Sequence, residues 1–402
     1  MPEKRPLRVL QFLNGTARSG AEEVALELLR GLDREKFRCY LVCPEPLLRA
    51  FGNDWQASHV SAVSMTIEGL HDWKQAWQFV NLLRHEQIDV VHAHMVRAAL
   101  VAVPLARMAR VPVIVHTCHG REAWRTSWLK RQFWLDRRLS DLADMTLAVS
   151  EATRAYLIED KKLSPDKVTV IRNGRSLESN GVSRELQERL RSEFRVGPND
   201  LVVGVFGRLE PQKGPDYLLQ ALPTVRQNVA TVKLLFVGEG SLRQHLEEES
   251  QALGLRQNVI FAGYRSDAMQ LMACCDLIVL PSLYEGMPLV PIEAAVQGKP
   301  VVATAVDGTL EVVVNDSTGV LVPPRDPGRL AQAIVELLLD PQLRKAMGQR
   351  ARRRAEALFS LRRQLSETET LYVSLLEAKD AHRRPCRSTS LAKLPIASEQ
   401  SR

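Results

Sequence analysis

Two glutamates eight positions apart, Glu285 and Glu293 in SLYEGMPLVPIEAAVQGKPVV, flank the start of an apolar helical stretch, where a carboxylate is costly to bury without a partner. Pro288 suits a first helical turn, so the N–H groups of Leu289 and Val290 face an anion there, while both carboxylates can accept hydrogen bonds from sugar hydroxyls. Capping or surface glutamates are the plain alternative. Two cations, Arg208 and Lys213 in GRLEPQKG, follow the apolar run Leu201–Phe206 and precede a helix from Pro215. At the end of a central strand they can neutralise a pyrophosphate; elsewhere they would be solvated loop residues. A third stretch, NGTARSGAEE, joins the first apolar run to a helix, and Gly15 and Gly20 permit close approach of an anion to backbone N–H groups. It is neither G-x-G-x-x-G nor a Walker A loop.

Four histidines, His92, His94, His116 and His119, end two apolar runs with H-x-H and H-x2-H spacing. Zinc is one reading, but no nearby carboxylate or thiol completes a site and the imidazoles are expected to point apart on alternating strand faces, so no metal is expected. His92 and His116 read as core histidines. His119, beyond its strand and before Gly120, is the one placed to reach a ligand. No D-x-D occurs, so the acidic clamp for a metal-bound diphosphate is missing and its charge must be met by cations and helix dipoles.

The elements that must position these residues form two series. Apolar runs at Arg8–Leu13, Cys39–Cys43, Val90–Ala93, Val113–His116, Thr146–Val149 and Val168–Ile171 alternate with amphipathic helices. A second series runs Leu201–Phe206, Lys233–Val237, Val259–Phe261, Leu277–Leu280, Val301–Ala303 and Gly319–Val322. Continuous apolar strands between helices predict parallel sheets covered on both faces, hence an α/β chain of two doubly wound, Rossmann-like domains facing each other across a cleft. The turn-rich NGRSLESNG and a charged helix, Ser183–Phe194, set the boundary: residues 1–182 and 183–360, with a helix at Leu361–Ala378 long enough to leave the second domain and residues 379–402 expected to be a disordered tail.

At 402 residues, 45% hydrophobic and 25% charged, the chain can bury two full cores and is unlike disordered, collagenous or coiled-coil sequences. No run is long and apolar enough to span a membrane, and Arg8 and Gln11 interrupt the first apolar stretch, so no secretory signal is expected. The six cysteines lack C-x2-C spacing and read as core thiols of a reducing compartment, so a cytoplasmic location is expected. The net charge of +7 arises in residues 1–200, with 30 Lys/Arg against 25 Asp/Glu, and in residues 351–402, with 11 against 6. No nucleic-acid signature accompanies it.

In order and spacing, SGAE at Ser19–Glu22, HG at His119–Gly120, FGRLEPQKG at Phe206–Gly214, FVGEG at Phe236–Gly240, the glutamate pair and GKPVVAT at Gly298–Thr304 resemble the family 4 retaining glycosyltransferases of the GT-B fold. The likeness covers residues 8–375 and implies that the Leu361–Ala378 helix returns to the first domain. It implies transfer of a sugar from a nucleoside-diphosphate sugar to a hydroxyl acceptor, in polysaccharide or glycolipid synthesis, without a metal or other cofactor. Arg208 and Lys213 would bind the donor pyrophosphate, Glu293 the ribose hydroxyls, Glu285 the donor sugar, and His119 the sugar or acceptor side. Gly20 would let the first-domain loop close on the phosphates, Gly238, Gly286, Leu289 and Val290 would border the donor, and Ala262–Arg265, with Gly263 and Tyr264, would line the base pocket. There are three departures from the pattern: Ser19 for a frequent Gly, Met287-Pro288 for Phe-Gly, and Thr309 for a Gly of the GG-x-x-E pattern, which here reads GTLE.

A nucleotide-sugar epimerase and a non-catalytic nucleotide-sugar-binding subunit share this fold and stay open at this point. All six tryptophans lie in the first 134 residues. Trp124 and Trp128 share a helical face beside Arg121, Arg125, Lys130, Arg131, Arg137 and Arg138, which predicts docking of the first domain on an anionic membrane surface, unless these aromatics pack on the first sheet.

Overall fold

The computed structural model describes residues 5–55, 60–69, 71–122, 133–177 and 183–383. The first apolar series forms a seven-stranded parallel sheet from β1 (Leu7–Phe12), β2 (Phe37–Cys43), β3 (Ser61–Ser64), β4 (Val90–His94), β5 (Val113–Cys118), β6 (Met145–Ala148) and β7 (Val168–Val170), in the order 3-2-1-4-5-6-7. The second forms a six-stranded parallel sheet from β8 (Leu201–Phe206), β9 (Val232–Val237), β10 (Val259–Gly263), β11 (Leu277–Leu280), β12 (Val301–Thr304) and β13 (Gly319–Val322), in the order 10-9-8-11-12-13. Both are doubly wound, as the alternation of apolar strands and helices requires. The strand order reverses between β1 and β4 in one sheet and between β8 and β11 in the other, and loops diverge at such points to leave a crevice. The loops carrying Gly20, Arg208 with Lys213, and Glu285 follow β1, β8 and β11, and His119 follows β5, the neighbour of β4.

The sequence reading located twelve of the thirteen strands and missed β3. Its SAVS is short and only half-buried at the sheet edge, so no apolar run marks it. Ser183 caps the charged helix Arg184–Glu193 through its side chain, close to the expected bounds. The last helix runs Leu361–Arg383, so residues 379–383 are helical rather than part of a tail; residues 384–402 lie outside the described residues. This helix does cross back onto the first domain, where Tyr372 is fully buried and donates or accepts hydrogen bonds with Gln11 of β1 and His92 of β4.

Behind the cleft, the segment after His119 is anchored by one buried cation. Lys161, 1% exposed, pairs with Glu122 at 2.7 Å and Asp136 at 2.8 Å. Burial opposes its charge, but Cys118, Glu122 and Asp136 outweigh it and hold the ammonium above a lysine's ordinary pKa. Replacing Lys161 by Met would remove a buried counter-charge shared by two carboxylates, and the expected loss of stability is about 3–5 kcal/mol. Urea denaturation checks this, and a loss below about 1 kcal/mol would show that the cation is dispensable.

Candidate functional site

The two domains meet where side chains are absent. Gly120 has φ +142, and a Cβ there would lie 2.8 Å from the Cα of Gly286; a Cβ on Gly286 would in turn run into the His119 carbonyl. Ser150 Oγ donates to the Gly286 carbonyl at 2.9 Å, and Arg121 pairs with Asp307 at 3.1 Å, while Asp307 also accepts the Glu285 N–H at 3.2 Å. The loop carrying His119 is therefore seated on the loop carrying Glu285.

On the second-domain side, Lys213 reaches from the loop after β8 to Glu285 in the loop after β11, with Nζ 2.6 Å from Oε1. Ser282 donates to the same oxygen at 2.7 Å. Glu285 is 5% exposed, so Lys213 is the counter-charge that its burial demands. Arg208 is exposed in the cleft and donates to Gln212 at 3.3 Å. Pro288 takes the N-cap position rather than the first turn, and helix Leu289–Val296 begins with two N–H groups that have no acceptor within the helix. Gly20 faces Leu289 across the cleft at van der Waals distance, 3.5 Å from its Cδ1 for an added Cβ. Gly238, at φ +140, passes so close to the Gly207 carbonyl that no side chain fits. Gly263, at φ +70, turns the chain into Tyr264, which is 62% exposed.

The expectation that the histidines point apart is overturned. Residues two apart share a strand face, so His92 and His94 stack with centroids 4.3 Å apart, and His94 Nδ1 lies 3.0 Å from His119 Nε2. The Gln11 amide donates to Tyr372, so its oxygen accepts from His94 Nε2 at 2.7 Å; His94 Nδ1 then accepts, and His119 Nε2 donates to it. His119 is left with Nδ1 as an acceptor. Burial pushes His119 and His92 down to about 3 and His116 to about 4, and His94 well below its ordinary value, with mutual repulsion among the rings as a lesser cause for His92, His94 and His119 and Lys161 for His116. The site thus holds a neutral imidazole array. None of these histidines belongs to the cluster of possible metal ligands among the described residues, Asp216, His245 and Glu249.

Glu293 reaches back toward the first domain. Its Oε1 is 2.7 Å from Arg175 Nη2, and Arg175 Nη1 is 2.6 Å from Glu27 Oε1. Sequence reasoning missed Arg175, treating NGRS only as a boundary, and missed Gln11, although a glutamine inside an otherwise apolar strand is itself a signal. Two of the three departures from the family pattern have local causes. Ser19 is extended at φ −144, so no glycine is needed. Met287 turns away from the helix start to the interdomain crossover, its carbonyl accepting from Asn173 at 3.2 Å. Thr309 is fully buried with its hydroxyl unpartnered, and nothing in the structure explains that.

Two facing Rossmann-like domains that present cations, a helix N-terminus and a neutral histidine across one cleft define a GT-B-type glycosyltransferase. Residues 18–179 match the family model described as Glycosyltransferase Family 4 and residues 187–354 that of Glycosyl transferases group 1, and the chain belongs to the family 4 glycosyltransferases. It is 27% identical over 90% of its length to the UDP-Gal:alpha-D-GlcNAc-diphosphoundecaprenol alpha-1,3-galactosyltransferase of Escherichia coli, covering 95% of that protein. It is 32% identical over 74% of its length to glycogen synthase of Mycobacterium tuberculosis, covering 70% of it. Among solved structures, Anabaena HepE with UDP-glucose superposes with a TM-score of 0.82 at 25% identity, over 91% of this chain and 99% of that one.

The histidine array makes stability depend on pH. Each ring is neutral when folded but takes a proton near pH 6.5 when unfolded, so its contribution is complete above that value and falls as the pH drops toward 4 or 3. Four such groups give a slope of up to about 5 kcal/mol per pH unit below pH 6. Urea titrations at pH 7.5, 6 and 5 measure it; equal midpoints at all three would show that the rings titrate freely in the native state.

Proposed function

We propose that the protein transfers a hexose from a UDP-sugar, with retention of anomeric configuration and without a metal, to a hydroxyl of a lipid-linked or saccharide acceptor in polysaccharide or glycolipid assembly. The Lys213–Glu285 pair at the crevice between β8 and β11, directly beneath the His119 loop, carries this reading. UDP in the Anabaena structures and the UDP-Gal named for the Escherichia coli relative support the donor.

Breaking the anomeric C–O bond builds negative charge on the departing diphosphate, and preorganised charge at that place lowers the barrier most. Lys213 and Arg208 supply cations there, and the Leu289 and Val290 N–H groups add the positive end of a helix dipole. Glu285, held by Lys213 and Ser282, accepts from sugar hydroxyls and stands beside the developing positive charge on the ring. His119 Nδ1 accepts from a further hydroxyl. Front-face attack then forms the acceptor O–C1 bond on the side where the phosphate C1–O bond breaks, and the acceptor proton passes to the leaving phosphate oxygen. Glu293 holds the ribose, and Gly263 and Tyr264 border the base.

Incubating UDP-sugars with and without acceptor and following the anomeric proton by NMR tests the reaction. An α-linked product from an α-linked donor, undiminished by EDTA, is expected, and Lys213→Ala should lower turnover by roughly 10²–10³. An inverted product, strict dependence on added Mg²⁺ or Mn²⁺, or conversion of the donor sugar to its epimer without acceptor would each overturn the reading.

The acceptor side of this proposal places the first domain on an anionic membrane. Trp124, Trp128, Lys130 and Arg131 lie outside the described residues, but Trp73 is 77% exposed, Trp77 65% and Trp134 52%, with Met108 at 63%. Trp73 and Trp77 share one face of helix Trp73–His85, with Lys74 and Arg84 also exposed, and Arg137 and Arg138 are exposed beside Trp134 on helix Phe133–Leu142. No helix among the described residues is long and apolar enough to cross a membrane. Aromatic groups flanked by cations suit an interfacial position. In flotation with anionic vesicles, Trp73→Ser/Trp77→Ser should lose most of its binding, and wild type should detach as salt rises. Equal recovery of both proteins at every salt concentration would exclude docking through this face.

A further inference from the structure

Arg175 stands where the two crossovers between the domains touch. Its N–H donates to the Phe359 carbonyl at 2.9 Å, and its own carbonyl accepts from Leu361 at 2.9 Å. Gly174 before it lies against the Ser360 carbonyl with no room for a Cβ, and its N–H donates to Gln364 at 2.8 Å. The backbone here is fixed from both sides.

From this knot the guanidinium enters the interface and grips one carboxylate from each domain: Glu27 of helix Gly20–Gly31 at 2.6 Å and Glu293 of helix Leu289–Val296 at 2.7 Å. The arginine side chain is 13% exposed and each carboxylate 18%. Burial pushes the Glu27 carboxyl above its usual range against the pull of Arg175, and the two carboxylates keep Arg175 charged despite its burial. Arg175 Nε and Glu27 Oε2 are buried without a hydrogen-bond partner, so the arrangement is not the best an isolated ion pair could reach. A cluster that tolerates unmet groups at a domain junction, and ends on the glutamate assigned to the donor ribose, has a geometry suited to positioning.

We propose that Arg175 is a positioning residue for the nucleotide. Resting on the reading of Glu293 as the ribose ligand, it holds Glu293 Oε1 so that the other oxygen faces the ribose hydroxyls, and through Glu27 it sets that orientation only when the domains are closed together. The planar fork matters, because its two terminal nitrogens hold the carboxylates at a fixed separation and angle, which an ammonium on a flexible stem does not. Donor affinity and domain closure are thereby coupled through one side chain.

Calorimetric titration of the full-length protein with UDP, together with donor KM and kcat, tests this on Arg175→Met, Arg175→Lys, Glu27→Gln, Glu293→Gln and the Arg175→Met/Glu293→Gln pair. Arg175→Met should weaken UDP binding and raise donor KM about tenfold or more with a smaller change in kcat, Arg175→Lys should recover only part, and Glu27→Gln should shift both in the same direction. In the Glu293→Gln background Arg175→Met should cost nothing further. If Glu293→Gln itself binds UDP like wild type, the ribose assignment fails and this inference with it. If Glu293→Gln weakens binding while Arg175→Met does not, or if the two losses simply multiply, only the positioning role is overturned. Should Arg175→Met lack a cooperative unfolding transition, Arg175→Lys and Glu27→Gln decide alone, and wild-type UDP affinity in both would refute it.

Discussion

The bare backbone contact between Gly120 and Gly286 sets the distances on which the rest depends. Each glycine comes from a loop at the carboxyl end of a strand, one in each sheet, and any side chain at either would wedge the domains apart. With the wedge absent, His119 on one side and Glu285 on the other are neighbours by construction. The hydrogen bond from Ser150 to the Gly286 carbonyl and the Arg121–Asp307–Glu285 connection hold that approach from its flanks.

The charges inside this frame are divided by side. The second domain supplies fixed charge: Lys213 compensates Glu285, and Arg208 and the helix start at Leu289 remain directed at the crevice. The first domain supplies neutral polarity, because burial keeps its imidazoles uncharged and the Gln11 amide dictates which ring nitrogens donate. A cation at His119 would add a like charge to a cleft that already holds Lys213 and Arg208, whereas a neutral ring adds hydrogen-bonding polarity alone.

The strand positions and the presence of two parallel sheets were legible because parallel strands buried on both faces read as plain apolar runs, and twelve of them were located that way. The edge strand β3, half-exposed, has no such signature. Arg208, Lys213 and Glu285 stood out because they follow β8 and β11, which flank the switch in the second sheet, Glu293 because it is a carboxylate in an apolar helix, and His119 because it comes directly after β5. What escaped was whatever depends on a partner remote in sequence: the stacking of His92 on His94 with His119 beyond, the Lys213–Glu285 pairing and the grip of Arg175 on Glu27 and Glu293 are set by strand order and domain apposition. The spacing of His92 and His94 did carry the correct answer, since a period of two puts both on one face.

The burial of Tyr372 also bears on how the chain is made. Its ring fills the first domain's core beside Phe37, and its hydroxyl meets Gln11, 361 positions earlier. The first domain therefore leaves the ribosome with a gap in its hydrophobic interior and a Gln11 amide N–H lacking its Tyr372 acceptor, and must wait for the whole second domain to be synthesised before that gap is filled. Domains ordinarily fold in order of emergence; here the first to emerge is the last to be completed, and a chain cut short before the final helix loses the interior of the domain farthest from the cut.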